Sequence, residues 1–221
     1  MKIADAVSIK LLAAIGKVRP FRRHRVKSGA VVYEACPTRK TYIVETGYVR
    51  LVFPEVTGRY RTKMLLGKGA LLGELPFGLT TIQTEESAIA NGTASILELD
   101  RTAVETAAHH DNGLRQAMLE AYASQLQLLD RRLQWQFISP LHRRIATILY
   151  DLMCFEGQPC GHGAGYLVDV RMTHEELSEL VGAARSNVST HLNDLRAQGI
   201  ISYTRAYLCV RNMDMLRRRA E

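Results

Sequence analysis

No stretch of this 221-residue chain approaches the roughly 20 consecutive apolar residues that cross a bilayer as a helix. The N-terminus, Met1-Lys-Ile-Ala-Asp-Ala, lacks the apolar core and small-residue cleavage site of a secretory signal. Cysteine is sparse and dispersed, with Cys36, Cys154, Cys160 and Cys209 the only four. That is too few for a secreted disulfide framework, and free thiols in the cytoplasm are expected instead. Catalytic patterns are missing as well. There is no Gly-x4-Gly-Lys-Ser/Thr phosphate loop and no Gly-x-Ser-x-Gly elbow. His174-Glu175 opens a zinc-protease pattern, but Ser178 stands where its second histidine must be. No internal repeat or low-complexity tract appears. What remains, 47% hydrophobic and 23% charged, suits a soluble globular protein large enough for one big domain or two modest ones.

The net charge of +7 invites a nucleic-acid partner, but its distribution weakens that argument. Residues 1–110 carry 16 Lys/Arg against 10 Asp/Glu, whereas residues 139–221 carry 10 against 9. The C-terminal third is nearly neutral, so any affinity for phosphate there must come from where its arginines sit.

Between Phe21 and about Leu99 the chain reads as short β segments: 31–33, 42–44, 48–53, 61–66, 87–90 and 94–99. They are rich in β-branched and aromatic residues and punctuated by Gly29, Gly47, Gly58, Gly67, Gly69, Gly73 and Gly92. Strands this short with turns this frequent predict an antiparallel β-barrel or jelly roll. A small amphipathic helix carrying Ile9, Leu12, Ala13 and Ile15 precedes them.

After Asp100 the period changes. Leu119, Tyr122, Leu126, Leu129, Leu133 and Gln136 step by alternating threes and fours, a seam of about two and a half heptads. Asn112-Gly113 marks one end of this helix. Ser139-Pro140 marks the other, reading as a side-chain cap followed by proline at the first position of the next helix. Such a seam can pack on its own domain or pair with a second copy in a parallel coiled coil. The position between two domains favours pairing, with a second stripe (Leu114, Met118, Ala121, Leu128, Trp135) left to face the β-rich domain. A following helix places Leu141, Ile145, Ile148, Leu149 and Leu152 on one face and ends in the glycine-rich loop 157–165.

Residues 166–211 hold the most specific pattern. Residues 166–171 read as a strand. Thr173-His-Glu-Glu176 is a capping box, and the helix it starts turns Leu177, Leu180 and Val181 inward. Gly182 makes a tight bend. The next helix buries Val188, Leu192 and Leu195 and turns Arg185, Ser186, Ser189, Thr190, Asn193 and Arg196 outward. Short or forked hydrogen-bonding side chains near the start of a second helix are what meets base edges in the major groove. Gly199 closes that helix, and residues 200–203 and 207–210, joined by Thr204-Arg-Ala, form a two-stranded wing. The same unit can also serve as a packing or protein-binding module.

The run Met172-Thr-His-Glu-Glu-Leu-Ser-Glu-Leu-Val-Gly-Ala-Ala-Arg-Ser-Asn-Val-Ser-Thr-His-Leu, continuing through Leu195-Arg-Ala-Gln-Gly-Ile-Ile-Ser, resembles the DNA-binding signature of the CRP/FNR superfamily, bacterial regulators related to the cyclic-AMP receptor protein. The resemblance extends over nearly the whole chain. It implies an α+β fold with a cyclic-nucleotide-binding-like sensor barrel at 1–110, a dimerisation helix at 111–138 and a winged helix-turn-helix at 139–221. It further implies a homodimer on pseudo-palindromic DNA, with Leu119, Tyr122, Leu126, Leu129 and Leu133 on the dimer helix and RNA polymerase as a partner. The DNA-facing set is Arg185, Ser186, Ser189, Thr190, Asn193 and Thr173. Arg185 matches the arginine that reads guanine. Ser186 replaces a frequent glutamate, Thr190 a further base-reading arginine, and Ala184 a serine, so the half-site is expected to differ from that of the cyclic-AMP receptor.

The sensor departs further. The family's ribose-binding Gly-Glu-Leu is present as Gly73-Glu74-Leu75, but Glu86, followed by Ser87, occupies the place of the phosphate-holding arginine. A carboxylate there repels phosphate. Leu129 and Asp130 fall where adenine would meet hydroxyls. Cyclic-nucleotide binding of the usual kind is therefore not expected, and an effector, if one exists, is another small molecule. No iron–sulfur cysteine cluster is present at the N-terminus, Cys36 is the evident candidate for a haem-type ligand, and no cofactor or metal is expected. Cys154, Cys160 and His162 can be read as a metal or redox site, or as a buried helix cysteine beside an unrelated loop pair that faces RNA polymerase. The basic run Arg19, Arg22, Arg23, His24, Arg25 and Lys27 is either a solvated face or a contact to flanking bent DNA. The competing function is an effector-binding module acting through protein partners.

Overall fold

The computed structural model describes residues 5–35, 39–54, 60–78, 85–161, 165–168, 172–203 and 208–221. It divides into two compact units, residues 2–129 and 130–221. The architecture is α+β, an antiparallel β-rich unit followed by a helical unit with its own small sheet.

The first unit opens with α1 (Asp5–Ile15) and continues through β1 (Phe21–Val26), β2 (Val31–Tyr33), β3 (Lys40–Pro54), β4 (Tyr60–Leu66), β5 (Leu71–Gly73), β6 (Ser87–Asp100) and α2 (Arg101–His110). The next helix, α3 (Asn112–Ile138), runs through the division between the units. Strands β3 and β6 form the spine. One half of their ladder, residues 41–46 against 95–99, carries β5 and β1 on its flanks. The other half, 48–52 against 87–91, carries β4 and β2.

The sequence predicts separate strands at 42–44 and 48–53, and again at 87–90 and 94–99. Each pair is instead one long strand, bent where the β3–β6 register shifts between Val44 and Thr46 and between Thr46 and Tyr48. Gly47 sits in that bend at φ 78°, and a Cβ there would lie 2.4 Å from the Thr93 carbonyl oxygen. The glycine bends the strand through a bulge rather than ending it. Ile43, Val44, Leu66, Leu71, Ile96 and Leu99 are fully buried at the centre of this unit.

The second unit holds the end of α3, then α4 (Leu141–Glu156), β7 (Gln158–Pro159), β8 (Tyr166–Val168), α5 (His174–Val181), α6 (Arg185–Ala197), β9 (Ile201–Tyr203), β10 (Leu208–Val210) and α7 (Met213–Ala220). Its four strands pair in the order β7-β8-β10-β9. Ile145, Leu149 and Leu152 of α4 are buried, as expected from their spacing, and Leu216 is the buried residue of α7. One expected cap differs. Pro140 itself is the N-cap of α4, with no side-chain hydrogen bond, so Ser139 does not cap and proline is not the first helical residue. Residues 169–171 of the expected strand and the wing tip 204–206 lie outside the described residues.

Candidate nucleic-acid interface and effector cleft

Helix α5 starts on the capping box that its sequence specifies. Thr173 Oγ1 accepts from Glu176 N at 3.1 Å, and the Glu176 carboxylate accepts from Thr173 N at 2.8 Å. The helix ends at Gly182, whose left-handed φ of 66° reverses the chain within a few residues. Val188, Leu192 and Leu195 of α6 are buried, which fixes the helix rotation and turns the opposite face to solvent. Arg185, Ser186, Thr190 and Asn193 are exposed there, and Ser189 is half-buried.

These side chains differ in how far they are already engaged. The Arg185 guanidinium lies 3.9 Å from Glu175, with both side chains at least half exposed, a pair that water and salt weaken to about 0–1 kcal/mol. Thr190 Oγ1 donates back to the Ser186 carbonyl at 3.1 Å. Ser189 is hydrogen-bonded to His174 Nδ1 at 2.8 Å, and Asn193 Oδ1 accepts from Tyr203 Oη at 2.7 Å. Thr173 is occupied by its cap. Arg185 and Ser186 are therefore the members most available to a partner. Ala184, the N-cap of α6, makes no side-chain hydrogen bond, leaving the first-turn N–H groups open to a phosphate oxygen.

Two bracing residues escaped the sequence reading. Tyr203 of β9 holds Asn193, stacks edge-on to His174 at 5.3 Å and lies under the Arg196 guanidinium at 5.4 Å. Arg132 near the end of α3 is buried, and its Nη2 donates to the Leu180 carbonyl at 2.9 Å. Burial pushes its pKa down to about 10. An aromatic on a wing strand and an arginine inside a heptad run are the signals that pointed there, but neither has a periodicity that sets it apart.

The first unit contains a cleft of about 640 Å³, within the range of small-molecule sites. Gly73, Leu75, Glu86 and Leu129 line it together with Leu51, Met64, Leu71, Met118 and Tyr122. The other expected pocket residues are spent elsewhere. Glu74 accepts from Arg39 N at 2.7 Å and faces Arg101 at 3.7 Å, Ser87 Oγ accepts from Ala35 N at 3.1 Å, and exposed Asp130 accepts from Gln134 at 2.9 Å.

Glu86 is buried. Its two oxygens accept from Tyr33 Oη and Lys63 Nζ, each at 2.8 Å. Burial and the Glu86 carboxylate push the Tyr33 phenol well above its ordinary range, so it remains a donor. Lys63, also missed by sequence, owes its place to a bulge. Leu51 pairs with Met64 and Val52 with Thr62, which makes Lys63 the extra residue of β4 and re-aims it into the cleft beside Met64.

Along α3 the seam overlaps the cleft. Leu119, Leu126 and Leu133 are 57%, 67% and 45% exposed. Leu119, Tyr122, Leu126 and Leu129 all line the cleft, and Tyr122 Oη donates to the Pro76 carbonyl at 3.1 Å. Of the second stripe, Leu114, Met118 and Ala121 are buried, whereas Trp135 lies under the Arg131 guanidinium at 4.3 Å.

The cysteines correct one expectation. Cys154 is exposed and Cys160 is buried, so Cys154 is not a buried helix cysteine. Burial and the neighbouring Cys160 thiol push the Cys209 pKa up. Among the described residues no three His, Cys, Asp or Glu side chains cluster to hold a metal ion. Cys36 and His162 lie outside the described residues. In the basic run, Arg23 pairs bidentately with Glu45 at 2.9 Å and His24 meets Glu98 at 2.9 Å, both at the surface of the β-rich unit.

Residues 143–219 match the Crp-like helix-turn-helix domain family. The chain is 28% identical over 182 residues to the cyclic AMP receptor protein of Thermus thermophilus, covering 82% of this chain and 80% of that one. It is 24% identical over 189 residues to the global nitrogen regulator of Synechocystis, covering 84% and 82%. Its fold is similar to that of FixK2 from Bradyrhizobium japonicum, with a TM-score of 0.76 at 20% identity over 91% of this chain and 98% of the other. No helix of the described residues is long and apolar enough to cross a membrane.

Proposed function

We propose that this chain, whose residues 143–219 match the Crp-like helix-turn-helix domain family, is a CRP/FNR-type transcription regulator rather than an enzyme, and that it binds a pseudo-palindromic DNA site as a homodimer without cyclic AMP. The observation that carries this reading is the outward face of α6, where Arg185, Ser186 and Thr190 stand exposed beside an uncapped helix start. A helix so presented enters the major groove, with Arg185 placed for bidentate contact to guanine and the first-turn N–H groups on phosphate. The exposed Leu119, Leu126 and Leu133 support pairing of α3 with a second copy, which sets two half-sites about one helical turn apart.

The division of labour is a sensor at 1–110, a dimer helix at 111–138 and DNA binding at 139–221, working in the bacterial cytoplasm. The cleft of the first unit is its effector site. Independence from cyclic AMP is supported by Glu86, a buried carboxylate among the cleft-lining residues, already bonded to Tyr33 and Lys63. RNA polymerase is the further partner of this reading, near the exposed Gln158 and Pro159 of β7.

Selection of bound duplexes from a random pool tests the proposal. A two-fold motif is expected without added nucleotide. Arg185→Ala should cost about 1–3 kcal/mol per half-site and relax the preference at one base pair. Uniform binding of all sequences, unchanged by Arg185→Ala, overturns the reading in favour of a module acting through protein partners.

A further inference from the structure

We infer that the cleft of the first unit takes a monocarboxylate with an extended apolar body, an acyl or aryl acid, with its acid group on Lys63. The inference rests on the effector reading of that cleft and gives it a chemical class.

Shape comes first. The cleft wall formed by α3 runs from Arg115 to Leu129, about 21 Å at ~1.5 Å per residue. Leucines and methionines of β3, β4, β5 and α3 supply most of the rest. Several polar groups on the wall are already spent. Gln125 closes a two-way bond with the Leu71 backbone, its Oε1 accepting at 2.8 Å and its Nε2 donating at 3.0 Å. Tyr122 donates to Pro76. A ribose or a base would find few partners along this wall, and each polar group buried without one costs affinity.

Charge selects the head group. The charged residues of the lining are Lys63, Arg115 and Glu86, two cations against one carboxylate. Glu86 is bonded through both oxygens. Lys63 spends one ammonium donor on Glu86 and retains others. The bulge that places Lys63 beside Met64 aims those donors into an otherwise apolar space. Among the described residues the Arg115 side chain bonds to the Asn112 amide oxygen and to no carboxylate. A single negative charge completes this arrangement. A phosphodiester would bring its charge to a wall that also holds Glu86, and its sugar and base to a wall with few free polar partners.

Calorimetric titration of the full chain with octanoate, laurate, methyl laurate and cyclic AMP tests the inference, with binding to a selected duplex followed in parallel. Laurate is expected to bind more tightly than octanoate, by about threefold to fourfold for each methylene held inside the cleft. Methyl laurate is expected to bind about tenfold or more weakly than laurate. The double variant Lys63→Met, Glu86→Gln, which removes both charges together, should bring acid and ester to equal affinity. Overturning results are an ester that binds wild-type protein as well as its acid, cyclic AMP that outcompetes laurate, or no carboxylate binding. A chain that still binds its duplex but no carboxylate loses only this inference. A chain that binds no duplex loses the regulator reading instead.

Discussion

The two candidate surfaces use polar residues in opposite ways. On α6 they stand in water on the outer side of a helix whose inner side, Val188, Leu192 and Leu195, is buried. Each can exchange a solvent contact for a partner contact without disturbing the packing beneath. In the cleft, Glu86 and Lys63 stand on a largely apolar wall, Glu86 bonds both Lys63 and Tyr33, and removing one member strands another. An exposed face selects by the pattern of donors and acceptors it offers, and single substitutions there should change affinity far more than stability. A buried site selects by shape and by the sign of one residual charge, and substitutions there should change both.

The largest expected effect lies on the helix that joins these regions. Leu126, 67% exposed in the single chain, would meet its own copy in the proposed pairing of α3. Leu126→Glu sets two carboxylates against each other in an apolar seam. The variant should sediment as a folded monomer and lose duplex affinity by about 100-fold or more, because a lone half-site forfeits the gain of linked binding. A monomer that binds duplex as tightly as wild type would remove the need for pairing.

A smaller effect tests whether α6 depends on buried polar support. Arg132→Ala leaves the Leu180 carbonyl without its 2.9 Å donor, at the end of α5 that feeds the turn into α6. A stability loss of about 1–3 kcal/mol is expected in urea unfolding. Loss of duplex affinity without loss of stability would instead make Arg132 part of the interface.

Much of this arrangement was legible in the chain itself, for reasons that also mark where legibility stops. The capping box at Thr173 and Glu176, the bend at Gly182 and the buried Val188, Leu192 and Leu195 are local rules, satisfied within a few residues. The long strands were misread as pairs of short ones because Gly47 and Gly92 signal a break, whereas ladder pairing to a distant strand turns the break into a bend. Helix α2 has only Val104 and Ala108 buried and α7 only Leu216, too few apolar positions to set a period. Lys63 could not be found, because alternation assigns it and Met64 to opposite faces and only the offset between Leu51 and Val52 across the ladder reverses this. The family resemblance assigns Glu74, Ser87 and Asp130 to a pocket, but other partners claim all three here, Arg39 and Ala35 from distant segments and Gln134 from the next helical turn.

The smallest predicted effect sharpens the contrast by asking what a buried charge costs where no ligand is involved. Asp151 of α4 is 7% exposed. Burial pushes its carboxyl above the ordinary range, against the opposing pull of Arg131 at 3.6 Å. A raised folded-state pKa means that the unfolded chain gives up this proton more readily, so ionisation favours unfolding as the pH rises through the carboxylate range. Below the ordinary carboxylate pKa the group is protonated in both states and the penalty vanishes. Asp151→Asn removes it at the expense of a pair with half-exposed Arg131, worth about 0–1 kcal/mol. The Asn variant is therefore expected to be slightly more stable than wild type at pH 7, with the advantage shrinking towards pH 4 as Asp151 takes up its proton. Urea midpoints of both proteins at the two pH values measure the difference. A variant less stable at pH 7, with the deficit closing on acidification, would show that the Arg131 pair outweighs burial and that this charge supports the winged unit.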